Sequence, residues 1–470
     1  MLFNSPEFIV FLILVIALYY LAIPERMQRA RTALLTVSSY LFYMAWAPPF
    51  ALLLLFSTIL DFNVGRRMAR TEAPAMRRLL LALSITGNLG VLGYFKYGRF
   101  FAENIYRALG QDTGMVPDTL ATLVVPVGIS FYTFQALSYT IDVYRRRQEP
   151  AANLLDFACF VAFFPQLVAG PIVRSRVFLP QLASRPKPNG PDVEYALMRI
   201  GTGFLKKIVF ADVLAGYVDV IFDHPAGFSG FNVLLGFYAY AYQIYFDFSG
   251  YSDIAIGTAR LFGFKIPENF NRPYLSANPR EFWQRWHISL STWLRDYLYI
   301  SLGGNRRGPG RVYVNLALTM LLGGLWHGAA ATFVFWGAFH GLWLALHRLW
   351  TTLVPADPER GPLLPKIVRQ LVTFHMVCLG WVFFRAQSIG DAWVLLGRVV
   401  DPVFNMSIEG FQALVLVVLA TVIHTATSVT GWRERFTAAS PYLQGTAYAL
   451  IATAVFLFAP PVTRFIYFQF

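Results

Sequence analysis

An all-α, polytopic integral membrane protein is the fold class that the sequence predicts, and three observations carry it. Of the 470 residues, 56% are hydrophobic and only 14% charged, whereas a soluble domain carries about 25% charge. Apolar stretches near the roughly 20-residue spanning length recur along the chain, giving about ten to twelve candidate membrane segments. These stretches lack the two-residue alternation of an outer-membrane barrel, and backbone amides in hydrocarbon must be satisfied within their own segment, which leaves helices. One integrated domain over residues 1–470 is expected, with re-entrant and interfacial helices accompanying the spans.

The first span is residues 7–23, which hold no charged side chain after Glu7. With no basic stretch before it and no clear small-residue cleavage site before Pro24, it reads as a retained signal anchor rather than a cleaved leader. Arginines then orient the loops, because the cytoplasmic side collects positive charge. Arg26, Arg29 and Arg31 follow the first span; Arg66, Arg67, Arg70, Arg77 and Arg78 follow a hairpin over residues 34–60; Arg145, Arg146 and Arg147 follow a span at 120–141. The turns at 46–49 and 110–118 are poor in Lys and Arg and fall outside. A net charge of +13 is thereby explained by topology, with no nucleic-acid partner implied.

Residues 157–173 are interrupted by Pro165, Gly170 and Pro171, which predicts a re-entrant or paired short-helix element. Broken backbone at membrane depth needs cover from protein or a water-filled cavity. Spans follow near 198–222 and 231–262. The segment 265–311 is polar, aromatic and cytoplasmic, and within it residues 281–300 read as an interfacial helix rich in Trp and Tyr. Residues 312–347 are too long for one untilted span and are expected to bend near Gly323, Gly324 and Gly328. A Pro-rich, charged loop at 351–365 precedes spans at 367–384, 412–430 and 447–460, with Arg433 and Arg435 marking the last inner loop and residues 465–470 outside. Cys159 and Cys378 both lie in apolar runs, so no disulfide framework is expected.

Ionisable groups at membrane depth are functional candidates by default. His327 is the clearest, flanked by Gly323, Gly324 and Gly328, small residues that would let a ligand approach its ring. A neutral imidazole can take a proton from a hydroxyl or thiol; the competing reading is a histidine that hydrogen-bonds a neighbouring helix. His287 lies among Arg285, Trp286, Ser289, Arg295 and Asp296, where a ligand-orienting role competes with catalysis. His340 and His347 lack the carboxylate or HExxH context of a zinc site, so no metal is expected. His224, His375 and His424 stand out in no way. Tyr245, Asp247, Ser249, Tyr251 and Asp253 form a polar run inside an apolar span, read either as a network between helices or as substrate contact, with Arg or Tyr as expected partners of the carboxylates. The chain has no Gly-x-Ser-x-Gly elbow, Walker loop or GxGxxG run.

The run from Pro279 through Tyr297, PREFWQRWHISLSTWLRDY, together with residues 321–329, resembles the signature of the bacterial membrane-bound O-acyltransferases. PVGISFY at 126–132, FPQLVAGP at 164–171 and the 245–253 stretch extend the likeness along most of the chain. Within the family the sequence looks most like the AlgI-like branch, membrane subunits of alginate O-acetyltransferase, through SLGGNR at 301–306 and the closing Tyr467, Phe468, Gln469 and Phe470; the D-alanyl-transferring branch is the nearer alternative. Ala331 departs from the pattern, which leads one to expect an aromatic residue shortly after His327 and Gly328.

The resemblance implies helices around a central funnel, His327 as the essential histidine and His287 as the second functional one. It also implies acetyl-CoA as acyl donor with no permanently bound cofactor, a polysaccharide acceptor, an extracytoplasmic SGNH-like acetyltransferase partner, and the bacterial inner membrane. Trp286, Ser289, Arg295, Asp296, Trp326, Tyr245 and Asp247 are the expected substrate contacts. Arg280, Arg285 and Arg306 are expected to meet the donor's phosphates. A transporter without acyl chemistry is the competing class, disfavoured by the lack of an internal repeat.

Overall fold

The computed structural model describes residues 1–184, 186–354, 364–401, 403–426, 435–436, 438–458 and 465–466. Helix is the only regular secondary structure among them. Among the described residues, five helical stretches are long and apolar enough to cross a membrane by length and composition: Pro48–Ala69, Pro74–Ala108, Lys366–Arg385, Ile408–Ala426 and Pro441–Phe458. The first apolar helix, Pro6–Ala22, is shorter. Several other expected spans are shorter or more polar helices, because the sequence interrupts them. The chain forms two compact units, one made of Met1–Ile200 and Ile254–Pro267, the other of Gly201–Asp253 and Glu268–Phe470.

The first unit holds α1 (Pro6–Ala17), α2 (Gln28–Met44), α3 (Ala51–Ala69), α4 (Pro74–Leu92), α5 (Gly98–Ala108), α6 (Asp118–Ala121), α7 (Ile129–Tyr144), α8 (Leu154–Ala162), α9 (Ser175–Ser184) and most of α10 (Gly190–Phe204). Helices α3, α4 and α7 pack on one another around the buried carboxylate of Asp61. It accepts hydrogen bonds from Ser84 Oγ (2.5 Å), Asn88 Nδ2 (2.8 Å) and Thr140 Oγ1 (3.0 Å). Three donors from two other helices satisfy a group that would otherwise be costly to bury. At the far end of the same trio, Arg77 of α4 donates to Met68 O (2.6 Å), Val143 O (3.2 Å) and Tyr144 O (2.8 Å). These carbonyls belong to the final turns of α3 and α7, where helices leave acceptors unpaired and favour a cation.

The span expected at 120–141 is two helices: α6 stops at Ala121, and the chain turns through Gly128 at φ +77° before α7 begins. A Cβ at Gly128 would meet Leu167 O at 3.0 Å, so only glycine fits both the angle and the approach. The break expected in 157–173 is present. Residues 163–174 between α8 and α9 are non-helical, and every residue from 159 to 175 is buried.

The second unit contains α11 (Asp212–Asp223), α13 (Pro279–Arg285), α14 (Ile288–Trp293), α15 (Pro309–His327), α16 (Ala331–Leu353), α17 (Lys366–Arg385), α18 (Ile389–Arg398), α19 (Ile408–Ala426) and α20 (Pro441–Phe458), with α12 (Gly230–Leu261) contributing its residues through Asp253. The single interfacial helix expected over 281–300 is instead α13, α14 and a π-helical turn at Leu294–Tyr299, broken at Trp286 and His287. The bend expected in 312–347 is sharper than foreseen: α15 ends at His327 and α16 starts at Ala331. The two form a tight hairpin because Gly324 and Gly337 abut. A Cβ on Gly324 would lie 2.2 Å from Phe333 O, and one on Gly337 would lie 2.4 Å from Met320 O. Residues 467–470, Arg433 and most of the 351–365 loop lie outside the described residues.

Candidate active site

Two histidines from separate stretches of sequence meet at the ends of helices. His327 is the last residue of α15, and Gly328 follows it with no room for a side chain, since a Cβ there would meet the Phe333 ring at 2.0 Å. The His327 ring is 5% exposed and sits among Trp326 (5.0 Å between ring centroids), Trp336 of α16 (5.1 Å) and Phe384 of α17 (5.2 Å). All three contacts are edge-on. The His287 ring lies 6.3 Å away, fully buried against Phe248 (4.6 Å) and Trp326 (5.9 Å).

The surrounding aromatics close on themselves. From His287 the contacts run to Phe248, then to Phe270 (5.1 Å), Trp286 (5.0 Å), Trp381 (4.9 Å), Phe384 (5.2 Å) and His327. Walls of this kind exclude water and raise the strength of any electrostatic interaction made inside them. An imidazole pair so enclosed can accept and release a proton without a metal. Among the described residues no three His, Cys, Asp or Glu side chains converge as metal ligands.

The local backbone explains how His287 comes to this place. Its φ of +42° and ψ of 54° are left-handed, a region that a non-glycine residue enters at a cost of about 1–3 kcal/mol unless its surroundings fix it. The segment Asn269 to Asn271 supplies the constraint. Ile288 N donates to Asn269 O (2.9 Å) and Asn271 N to Arg285 O (2.9 Å), pinning the chain on both sides of the His287 turn.

Of the residues singled out from sequence, His287, His327 and Trp326 come together, and Trp286 belongs to the same aromatic ring. Tyr245 packs against this ring, 5.7 Å from Phe270 and 6.4 Å from Trp286, and lies 4.9 Å from His424. Ser289 is buried and gives its hydroxyl to Asn269 Oδ1 (2.8 Å). Asp247 is buried elsewhere in the unit, bound to Lys207 Nζ (2.7 Å) and to the Ile466 amide (2.8 Å). Its partner is thus a lysine, where Arg or Tyr was expected. Lys207 also pairs with Asp212 (2.7 Å), and Lys206 pairs with Asp253 (2.6 Å). Arg295 and Asp296 pair with each other at 2.8 Å, Arg295 being largely exposed. Arg285 pairs with Glu281 (2.7 Å), while Arg280 and Arg306 are exposed.

Sequence reasoning missed Phe248, Asn269, Trp336, Trp381 and Phe384. Trp336, nine residues beyond His327 across a glycine break, carried a signal. The others sit at distances in sequence that no local pattern encodes. His424, unremarkable in sequence, accepts the Tyr274 amide at 3.2 Å. His340 is fully buried beside Trp336 (4.7 Å) and Trp283 (5.1 Å).

Comparison with known proteins identifies the family. Residues 145–385 match the model of the membrane-bound O-acyltransferase family. The chain is 45% identical over 396 residues to the probable alginate O-acetylase AlgI of Pseudomonas aeruginosa, covering 84% of this chain and 74% of that protein. It is 36% identical to the peptidoglycan O-acetyltransferase of Helicobacter pylori (84% and 79% covered). With the teichoic acid D-alanyltransferase of Bacillus subtilis it shares 31% identity over 56% of this chain and 70% of that one. A multi-pass helical membrane protein matched over these lengths belongs to the membrane-bound O-acyltransferase family and is an acyltransferase.

Proposed function

We propose that the chain, in the bacterial inner membrane, uses cytoplasmic acetyl-CoA to supply acetyl groups for O-acetylation of an exported, alginate-like polysaccharide, with His327 as its general base. The observation that carries this reading is the 6.3 Å separation of the His327 and His287 rings inside an aromatic enclosure, in a chain resembling alginate O-acetylases more closely than D-alanyltransferases. His327 removes the proton of an acceptor hydroxyl as its oxygen attacks the thioester carbonyl. The carbon–sulfur bond then breaks, and the proton held on His327 goes to the departing thiolate. His287 steadies the oxyanion of the tetrahedral intermediate, a role that commonly contributes about 100- to 1,000-fold in rate.

On this reading Arg280, Arg285 and Arg306 meet the donor's phosphates, and the exposure of Arg280 and Arg306 suits such a role. Trp326 and Trp286 line the approach to the histidines, with Ser289 holding the His287 turn, while Tyr245, Arg295 and Asp296 are candidates for acceptor contact and Asp247, held by Lys207 and the Ile466 amide, acts only through the network it belongs to. Residues 1–470 work as a single integral-membrane domain. An SGNH-like acetyltransferase outside the membrane completes transfer to the polymer.

The test is CoA release from acetyl-CoA by purified protein, with acceptor and partner supplied. His327→Ala is expected to lower turnover by about 1,000-fold or more and His287→Ala by about 100-fold, both at wild-type thermal stability. Undiminished turnover in His327→Ala would remove its catalytic role. Turnover with D-alanyl but not acetyl thioesters would move the chain to the other branch.

A further inference from the structure

We infer that Asn269 is the positioning residue for His287, holding its ring toward His327 from eighteen residues upstream. The inference rests on the functional reading of His287 given above. His287 occupies the N-cap position of α14, yet its own side chain makes no capping hydrogen bond there. The first amides of a helix lack partners within it, and in most helices the residue at N-cap supplies one. Here the function passes to another part of the chain. Asn269 Oδ1 accepts from the Ser289 amide (3.2 Å) and from Ser289 Oγ (2.8 Å), while its backbone carbonyl accepts from the Ile288 amide (2.9 Å).

Asn269 is itself fixed. It is 1% exposed, and its Nδ2 donates to Ser252 Oγ (3.3 Å) on α12. The adjacent Phe270 packs on Phe248, which in turn packs edge-on against His287. One asparagine therefore joins the α12 surface behind His287 to the first turn of the helix in front of it. Delegating the cap separates two tasks: an Asp, Ser or Asn at position 287 would turn its side chain back onto the α14 amides, whereas the His287 ring packs against Phe248 and Trp326. The left-handed backbone at His287 persists because both flanks are tied to residues 269–271.

Asn269→Ala removes two acceptor contacts to Ser289 and the donor bond to Ser252, and leaves the carbonyl bond to Ile288. Asn269→Asp keeps an acceptor for Ser289 and serves as the conservative rescue. Hydrogen exchange read by mass spectrometry over residues 286–291 reports on position independently of activity. Asn269→Ala is expected to raise exchange there by about 5- to 10-fold, with exchange in α15 unchanged, and Asn269→Asp to restore most of the protection. In turnover assays Asn269→Ala is expected to lower kcat about 10- to 50-fold with KM for acetyl-CoA within about two-fold, and to add less than about three-fold to the loss in a His287→Ala background.

Unchanged exchange at 286–291 in Asn269→Ala overturns the positioning role. So does a loss of kcat of equal size with and without His287, which marks a general structural effect. Full activity in His287→Ala overturns the catalytic reading of His287 instead, and the exchange experiment then still decides whether Asn269 fixes the turn.

Discussion

The approach of α15 to α16 sets where His327 stands, and Gly324→Ala tests that directly. A Cβ on Gly324 would lie 2.2 Å from Phe333 O and 3.0 Å from Gly337 Cα, whereas real Cβ contacts essentially never fall under 3.0 Å. The hairpin must therefore open by at least about 0.8 Å at this level, and because both obstacles are backbone, no side-chain rotation relieves them. His327 is three residues further along the same helix and moves with it. A displacement of about 1 Å at a reacting group costs on the order of 100-fold in rate, and the steric strain costs about 1–3 kcal/mol of stability. Turnover of acetyl-CoA in Gly324→Ala should accordingly fall about 30- to 100-fold, with a modest drop in the thermal midpoint of the detergent-solubilised protein. Gly323→Ala is the matched control, since its Cβ would meet only the tip of Leu294 at 3.2 Å, and it should stay within about two-fold of wild type. Wild-type turnover in Gly324→Ala, or equal losses in the two variants, would refute the argument.

Two further predictions concern stability. Arg77→Ala, which leaves the Met68 and Tyr144 carbonyls without their donor and the Val143 carbonyl with only the Arg146 amide (3.1 Å), should destabilise the first unit by about 2–4 kcal/mol in thermal or denaturant unfolding, and Arg77→Lys should recover less than half because an ammonium lacks the fork. Lys207→Met strands the buried carboxylates of Asp212 and Asp247 and should cost about 3–5 kcal/mol; limited proteolysis should then cut near residue 466 at a protease concentration that spares the wild type.

Legibility from sequence follows the range of the interactions involved. Helical class and the break in 157–173 were readable because hydropathy and Pro and Gly spacing are local signals; an imidazole in an apolar run marks His327 as a candidate in the same local way. The α15–α16 break was read as a bend, since Gly328 gives no sign of how closely Phe333 will press upon it. The split of 281–300 at His287 was hidden: that stretch has helical composition throughout, and the conformation is imposed by Asn269 and Asn271, which belong to a different segment. The partner of Asp247 was misjudged for a similar reason. Lys207, forty residues earlier, looks like an ordinary basic flank of a span until α12 covers it and leaves it 1% exposed.

The bond from the Ile466 amide to Asp247 spans 219 positions, and this has a consequence for biogenesis. At about 5–20 residues per second of synthesis, roughly 11 to 44 seconds separate the emergence of Asp247 from that of its last partner. For that interval Asp247 has one carboxylate oxygen lacking its amide, and Lys207 has no Phe465 ring beneath it (4.5 Å when closed). The second unit can be inserted early but sealed only late, so the insertion machinery meets a long-lived, incompletely closed form of the chain. Ribosome stalling or premature termination upstream of residue 465 would leave that form permanent, exposing a buried ion pair as a mark by which membrane proteases could tell unfinished molecules from finished ones.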